Sequence, residues 1–137
     1  MKEFVLDASF ALRWCFEDEA TAKTESILTL LQDEEAIAWV PGISRYELLN
    51  ALGKGISRER LSRSKALLLW QEVQALPFRP AEVTVDEKLL DLAMNHNLPV
   101  YDASYLALAQ MRGLAVATVD GKLQRVAEAI GREVIKP

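Results

Sequence analysis

One cysteine, one histidine and no long apolar run set the first limits on what this chain of 137 residues can be. A lone thiol, Cys15, excludes an intramolecular disulfide and a cysteine-rich zinc site. Free cysteine is usually a small buried hydrophobe, and Cys15 is expected to be one. The only histidine, His96, lies in Asn95-His96-Asn97-Leu98-Pro99, a polar stretch that reads as a helix end and exposed loop. Nucleophilic catalysis built on a histidine base therefore has little to rest on. No stretch approaches the ~20 apolar residues that span a bilayer. The opening MKEFVLDASF has an apolar run too short for a signal peptide, and Asp7 interrupts it. A cytoplasmic protein with no membrane partner is expected.

Positive charge is also in deficit: 16 Lys and Arg face 20 Asp and Glu, a net charge of −4. That balance argues mildly against nucleic-acid binding through a general basic surface. The objection weakens if the acids cluster, because a carboxylate that holds a cation is neutralised in use. What remains is ordinary for a globular protein, with 50% hydrophobic and 26% charged residues. The length suits one compact domain over residues 1–137 with a sizeable core. There is no internal repeat, linker or low-complexity segment.

Short apolar runs alternate with helical periodicity, the pattern of an α/β protein with a parallel sheet covered by helices. Phe4-Val5-Leu6 predicts a first buried strand ending at Asp7, Thr21 to Leu31 a helix, and Ala36 to Val40 a second strand stopped by Pro41-Gly42. Ser44 is expected to cap a helix through Tyr46, Leu48, Leu49, Ala51 and Leu52 that Gly53 and Gly55 break. Ser57 is expected to cap the next, through Leu61 and Ala66 to Leu76, and a short strand is expected near Phe78. Asp86 caps a helix over Leu89 to Met94, and Tyr101-Asp102-Ala103-Ser104 opens another, closed by Gly113. Ala115 to Thr118 is a strand, Asp120 precedes a last helix ending near Gly131, and Val134-Ile135 is an edge strand.

Four acids interrupt apolar or small-residue surroundings: Val5-Leu6-Asp7-Ala8-Ser9, Tyr46-Glu47-Leu48-Leu49-Asn50, Val100-Tyr101-Asp102-Ala103-Ser104 and Thr118-Val119-Asp120-Gly121. Other acids, such as Glu17-Asp18-Glu19 and Asp33-Glu34-Glu35, sit in charge runs that suit solvated loops. Each of the four has a purely structural alternative. Asp102 and Asp120 precede helices, where Asp commonly serves as an N-cap. Glu47 shares a helix face with Asn50 and is within sequence reach of ion pairing with Lys54 or Arg13. Asp7 is harder to dismiss, because an acid directly after a buried strand loses hydration unless something compensates. In open parallel sheets ligands bind beyond the carboxyl ends of strands, where Asp7 and Asp120 fall. Converging carboxylates repel at neutral pH, and a hard divalent cation relieves that repulsion. Such a site suits phosphodiester hydrolysis.

Taken together and in order, these segments, with Trp14 after the first and Tyr105-Leu106-Ala107-Leu108-Ala109 and Lys122-Leu123 extending the last two, resemble a bacterial or archaeal PIN domain. More narrowly they resemble the VapC toxins of VapBC toxin–antitoxin pairs. The resemblance covers nearly the whole chain. It implies an α/β/α sandwich around a mostly parallel sheet, an acidic pocket for Mg²⁺ or Mn²⁺, and endonucleolytic cleavage of RNA by water without a covalent intermediate. Carried over, Asp7, Glu47, Asp102 and Asp120 form the acidic quartet, with Asp7 and Asp102 the main metal ligands. Ser9, Asn50 and Thr118 match polar positions that support the acids. The family also implies a cognate VapB-like antitoxin that blocks the site, and homodimers are usual. Gly121 departs from the family, where a larger residue is common.

Lys54, Arg58, Arg60, Arg63 and Lys65, with Glu59 as the only acid among them, offer phosphate contacts for RNA or a solvated helix face. Trp14, Trp39 and Trp70 suit base stacking or, more simply, the core. Two other readings stand beside the ribonuclease. One is a catalytically inactive PIN-like binding or dimerisation module. The other is a phosphatase with Asp7 as nucleophile, a class that typically has a second Asp where this chain has Ser9.

Overall fold

The computed structural model describes all residues from 1 to 137. Five parallel strands form one sheet in the order β3-β2-β1-β4-β5: β1 Lys2–Leu6, β2 Ala36–Pro41, β3 Phe78–Ala81, β4 Val116–Ala117 and β5 Val134–Ile135. Seven α-helices connect them: α1 Ala8–Ala11, α2 Ala22–Gln32, α3 Ser44–Ser57, α4 Arg63–Gln74, α5 Glu87–Asn95, α6 Val100–Arg112 and α7 Gly121–Ala129. Two 3₁₀ turns, Leu12–Trp14 and Glu17–Glu19, lie between α1 and α2. None of these helices is long and apolar enough to cross a membrane.

Both sheet faces are buried, which is why the strands read as continuous apolar runs rather than alternating ones. From β1, Phe4 and Leu6 face a core completed by Phe10, Ile27, Leu31, Leu48, Leu52 and Leu69, while Val5 points the other way, toward Tyr105, Leu106, Leu108 and Leu123. The layers that follow are α1 to α4 on one side and α6 with α7 on the other. Burying a side chain such as Phe4 or Leu106 contributes roughly 1.5–3 kcal/mol. Cys15 is buried in the first core as a free thiol, as expected, and burial with Glu72 nearby pushes it up to about 11.

Helix boundaries needed correction in one region. Gly53 and Gly55 do not break α3, which runs on to Ser57. Gly55 is there for packing: a Cβ on it would meet Leu61 Cδ1 at 3.1 Å and the Phe16 ring at 3.2 Å. The terminator is Glu59, whose φ of 60° turns the chain back so that the Arg60 N–H reaches the Gly55 carbonyl at 2.8 Å. Ser57 is therefore the last residue of α3 and not a cap; Ser62 caps α4, accepting from the Lys65 N–H. Ser44 is not a cap either but a buried first-turn residue, after Ile43. Pro41 continues β2, and β4 is shorter than expected, Val116–Ala117. Asp86 caps α5, and Gly113 closes α6 in the left-handed region with φ 66°, as expected.

Candidate active site

The strand order places the site. The chain moves from β1 outward to β2 and β3, then returns to lay β4 on the opposite side of β1, so the order reverses between β1 and β4. A crevice opens beyond the carboxyl ends of strands at such a reversal. Leu6 is in register with Ala117, which sets Asp7 and Thr118, the next residues on each strand, side by side.

Asp7 is only 7% exposed, and its carboxylate is held by hydroxyls rather than by a cation. Ser9 Oγ donates to Asp7 Oδ2 at 2.6 Å and Thr118 Oγ1 donates to the same oxygen at 2.7 Å. Both side-chain donors thus occupy Oδ2 and neither occupies Oδ1. The hydroxyls are fixed in turn: Thr118 Oγ1 accepts from the Asp120 N–H at 3.1 Å, and Ser9 Oγ accepts from the Val119 N–H at 3.3 Å. Burial pushes the Asp7 carboxyl up from the usual carboxylate range, against the lowering pull of these hydrogen bonds, and the charge of Asp120 adds to the rise.

Glu47 lies in the first turn of α3 and Asp102 in the first turn of α6, so both helix N-termini favour their charge. Loss of hydration nevertheless raises both carboxyls. For Glu47 the charges of Asp7 and Asp102 add to the rise and a Tyr105 hydrogen bond opposes it; for Asp102 the charges of Asp7 and Asp120 add and Lys122 opposes. The four acids therefore share one electrostatic neighbourhood. The ion pairs open to Glu47 from sequence do not form: the three salt bridges are Arg60 to Asp18, Arg60 to Glu19 and Lys136 to Glu128. Asp102 is not a cap, since Pro99 holds that position in α6. Asp120 does cap α7, its Oδ1 accepting from the Lys122 and Leu123 N–H groups at 2.9 and 3.1 Å, and Gly121 follows as the first helical residue. The carboxylates stand apart, and no three of them are close enough to close a coordination shell.

One residue given no role from sequence belongs here. The Tyr105 hydroxyl, on a side chain with no solvent exposure, donates to Glu47 Oε1 at 2.6 Å. Burial and the two carboxylates push that phenol far above its usual range. The signal was present: Tyr105 lies three residues after Asp102 on one helix face, and a buried tyrosine needs a partner for its hydroxyl. Asn50, by contrast, is exposed on α3 and takes no part in the network.

The tryptophans are packing residues. Trp14 packs on the first core and donates Nε1–H to the Thr24 carbonyl at 2.8 Å; Trp70 packs on the same core. Trp39 is covered by the Arg112 guanidinium 3.5 Å above its ring and donates to Glu3. His96 ends α5 and is half-buried there.

The model of the PIN domain family matches residues 4–129, a span that takes in all seven helices and, in whole or part, every strand but β5. The chain belongs to the PIN-domain family. Ribonuclease VapC3 of Pyrobaculum aerophilum is 30% identical over 126 residues, covering 88% of this PIN domain's chain and 92% of that protein. Among solved structures, PAE2754 from Pyrobaculum aerophilum superposes with a TM-score of 0.76 at 23% identity, covering 98% of this chain and 84% of that one. VapC20 of Mycobacterium tuberculosis, a toxin that cleaves the sarcin–ricin loop, gives a TM-score of 0.65 at 18% identity over 98% and 99% of the two chains. VapBC2 of Rickettsia felis, bound to a DNA fragment from its promoter, matches with a TM-score of 0.69 at 10% identity, covering 98% of each chain. At such identities these structures bear on the fold. They agree with the α/β/α sandwich and with the parallel sheet.

Proposed function

We propose that this PIN domain is a divalent-metal-dependent endoribonuclease, the toxin of a toxin–antitoxin pair. One observation carries the reading beyond family membership: Asp7, buried where the strand order reverses, is oriented by two hydroxyls and shares its field with Glu47, Asp102 and Asp120 instead of with a cation from the protein. A scaffold has no use for a buried carboxylate with three more acids, two of them half-buried, set around it. The donor set fits Mg²⁺ or Mn²⁺, since every candidate ligand is a hard oxygen. The like charges that raise the pKa of Asp7, Glu47 and Asp102, after loss of hydration, are ones a bound cation would offset. The spacing of the acids does not weigh against this, because Mg²⁺ retains several waters and is bound by one or two carboxylates plus substrate phosphate.

Asp7 and Asp102 would hold the metal, directly or through water, with Glu47 and Asp120 orienting water or completing the site. Bound there, the metal supplies Lewis-acid charge for a phosphoryl oxygen and a nucleophile at neutral pH. Ser9 and Thr118 keep Asp7 in one rotamer, so its carboxylate is presented without reorganisation. Tyr105 fixes Glu47 and keeps it ionised more readily than burial alone would allow. The curated relative is named a ribonuclease, which supports RNA as substrate. Structural neighbours include toxins in complex with antitoxins, which supports a cognate VapB-like partner. A homodimer in the cytoplasm completes the reading.

The test is incubation of partner-free protein with a mixed RNA pool in Mg²⁺ or Mn²⁺, with an EDTA control and metal add-back. Cleavage that stops with EDTA and returns with metal is expected. Folded protein that cleaves no RNA but still dimerises would favour the binding module.

A further inference from the structure

The basic stretch after Glu47 divides in the fold, and one part of it joins a cation from elsewhere. Lys54 and Arg58, at the end of α3, line a cleft of about 260 Å³ together with Arg13 from the first 3₁₀ turn. Ser9 and Val119 line it too. Since the Ser9 hydroxyl holds Asp7 at 2.6 Å, the cleft runs up to the acidic site itself. Arg60 and Glu19 also border it, but they are committed: Arg60 reaches Asp18 at 3.0 Å and Glu19 at 3.9 Å, and stacks on the Phe16 ring at 4.2 Å. No salt bridge involves Arg13, Lys54 or Arg58. Arg13 is aimed by a backbone group instead, donating to the Glu19 carbonyl at 3.3 Å. Lys65 borders a different cavity, with Cys15 and Ser62, and Arg63 borders neither.

Three unpaired cations gathered beside an acid cluster are unexpected in a chain of net charge −4. A polyanion approaching four carboxylates is repelled, and the cleft supplies the local attraction that the molecule as a whole does not.

We propose that Arg13, Lys54 and Arg58 form the subsite for the phosphate backbone of single-stranded RNA, seating the strand over Ser9 next to Asp7. The inference rests on the ribonuclease reading for its substrate. It assigns backbone contacts, so binding is independent of base sequence and strongly dependent on salt. Arg60, Arg63 and Lys65 are left out of the subsite.

The test is fluorescence anisotropy with a labelled, mixed-sequence single-stranded RNA, in EDTA and in Mg²⁺, on an Asp7→Asn background. Replacing Arg13, Lys54 and Arg58 together by Gln should weaken binding at least ~10-fold at physiological salt and flatten the plot of log K against log salt by about 2, at ~0.7 per phosphate contact. Lys54→Gln and Arg58→Gln singly, at exposed positions, should each show part of the loss with unchanged melting. Replacing Arg63 and Lys65 together should leave affinity within twofold. Equal affinity of the triple variant, an equal loss from the Arg63 and Lys65 pair, or no RNA binding by the parent in either buffer would each overturn the proposal. So would a polyglutamate peptide of matched charge that binds as tightly as RNA and depends on the same three residues. Wild-type protein that cleaves no RNA, while binding still depends on these cations, would sink the nuclease reading and leave the subsite standing.

Discussion

Replacing Tyr105 by Phe removes one oxygen from a site with no solvent exposure and leaves the ring where it is. The lost interaction is a hydrogen bond of 2.6 Å from a neutral hydroxyl to a carboxylate. Hydrogen bonds to charged groups contribute about 1.5–3 kcal/mol. With an unfolding entropy of about 2.1 cal/mol/K per residue, a loss of about 2 kcal/mol corresponds to a Tm lower by roughly 7 °C. The pH dependence separates this from a packing defect. The Tyr105 hydroxyl lowers the Glu47 pKa, so its removal raises that folded-state pKa further. Glu47's folded-state pKa lies above the unfolded value near 4.5 in both proteins, so the lost stabilisation of the ionised carboxylate is full above the variant's raised value and fades as pH falls through the raised values toward 4.5. Urea titrations of both proteins should therefore show a gap near 2 kcal/mol at pH 8 that shrinks toward pH 4. A gap below about 0.5 kcal/mol at pH 8, or one that does not change with pH, would refute the reasoning.

Three further outcomes are expected. The raised pKa values of Asp7, Glu47 and Asp102 mean that ionising them costs folding free energy, absent below about 3.8–4.5 and growing as pH rises through the raised values. Mg²⁺ relieves that cost, so at tenfold excess over its Kd it should raise the Tm by about 5 °C at pH 8, from about 1.4 kcal/mol of linkage, and by clearly less at pH 5; an equal rise at both pH values would count against the site. Gly53→Ala, which meets nothing within 4 Å, should stabilise by about 0.5–1 kcal/mol in urea, whereas Gly55→Ala should fail to, because its Cβ crowds Leu61 and Phe16. Thr118→Val should destabilise by about 1–3 kcal/mol, since it strips a donor from Asp7 and an acceptor from the Asp120 N–H in a fully buried position; a calorimetric Tm equal to wild type would exclude that role.

The sheet was legible because β1, β2 and β4 are apolar runs bounded by acids or Pro-Gly, and a strand buried on both faces shows itself that way. Register was not, since the pairing of Leu6 with Ala117 that brings Thr118 to Asp7 spans more than a hundred residues of sequence. Local glycine rules misled at α3 because tertiary packing of Leu48 and Leu52 holds the helix through Gly53 and Gly55, and the true stop, Glu59 at positive φ, carries no glycine or asparagine to announce it. At the site, the acids were visible as charges in apolar surroundings. What ties them together was not, because Tyr105 to Glu47 is a contact between two helices, and each side chain alone looks like ordinary helix composition.

The most direct test of the central claim is a Mg²⁺ titration of wild type and Asp7→Asn, with heat of binding and RNA cleavage followed in the same samples. Asn keeps the shape and the acceptor for Ser9 and Thr118 but removes the buried charge. Metal catalysis supplies several kcal/mol, so cleavage should fall by about 10³-fold or more. The heat of Mg²⁺ binding should fall with it, while the variant melts no lower than wild type at neutral pH. A folded Asp7→Asn protein that cleaves RNA at the wild-type rate would contradict the claim that the acidic site does the chemistry.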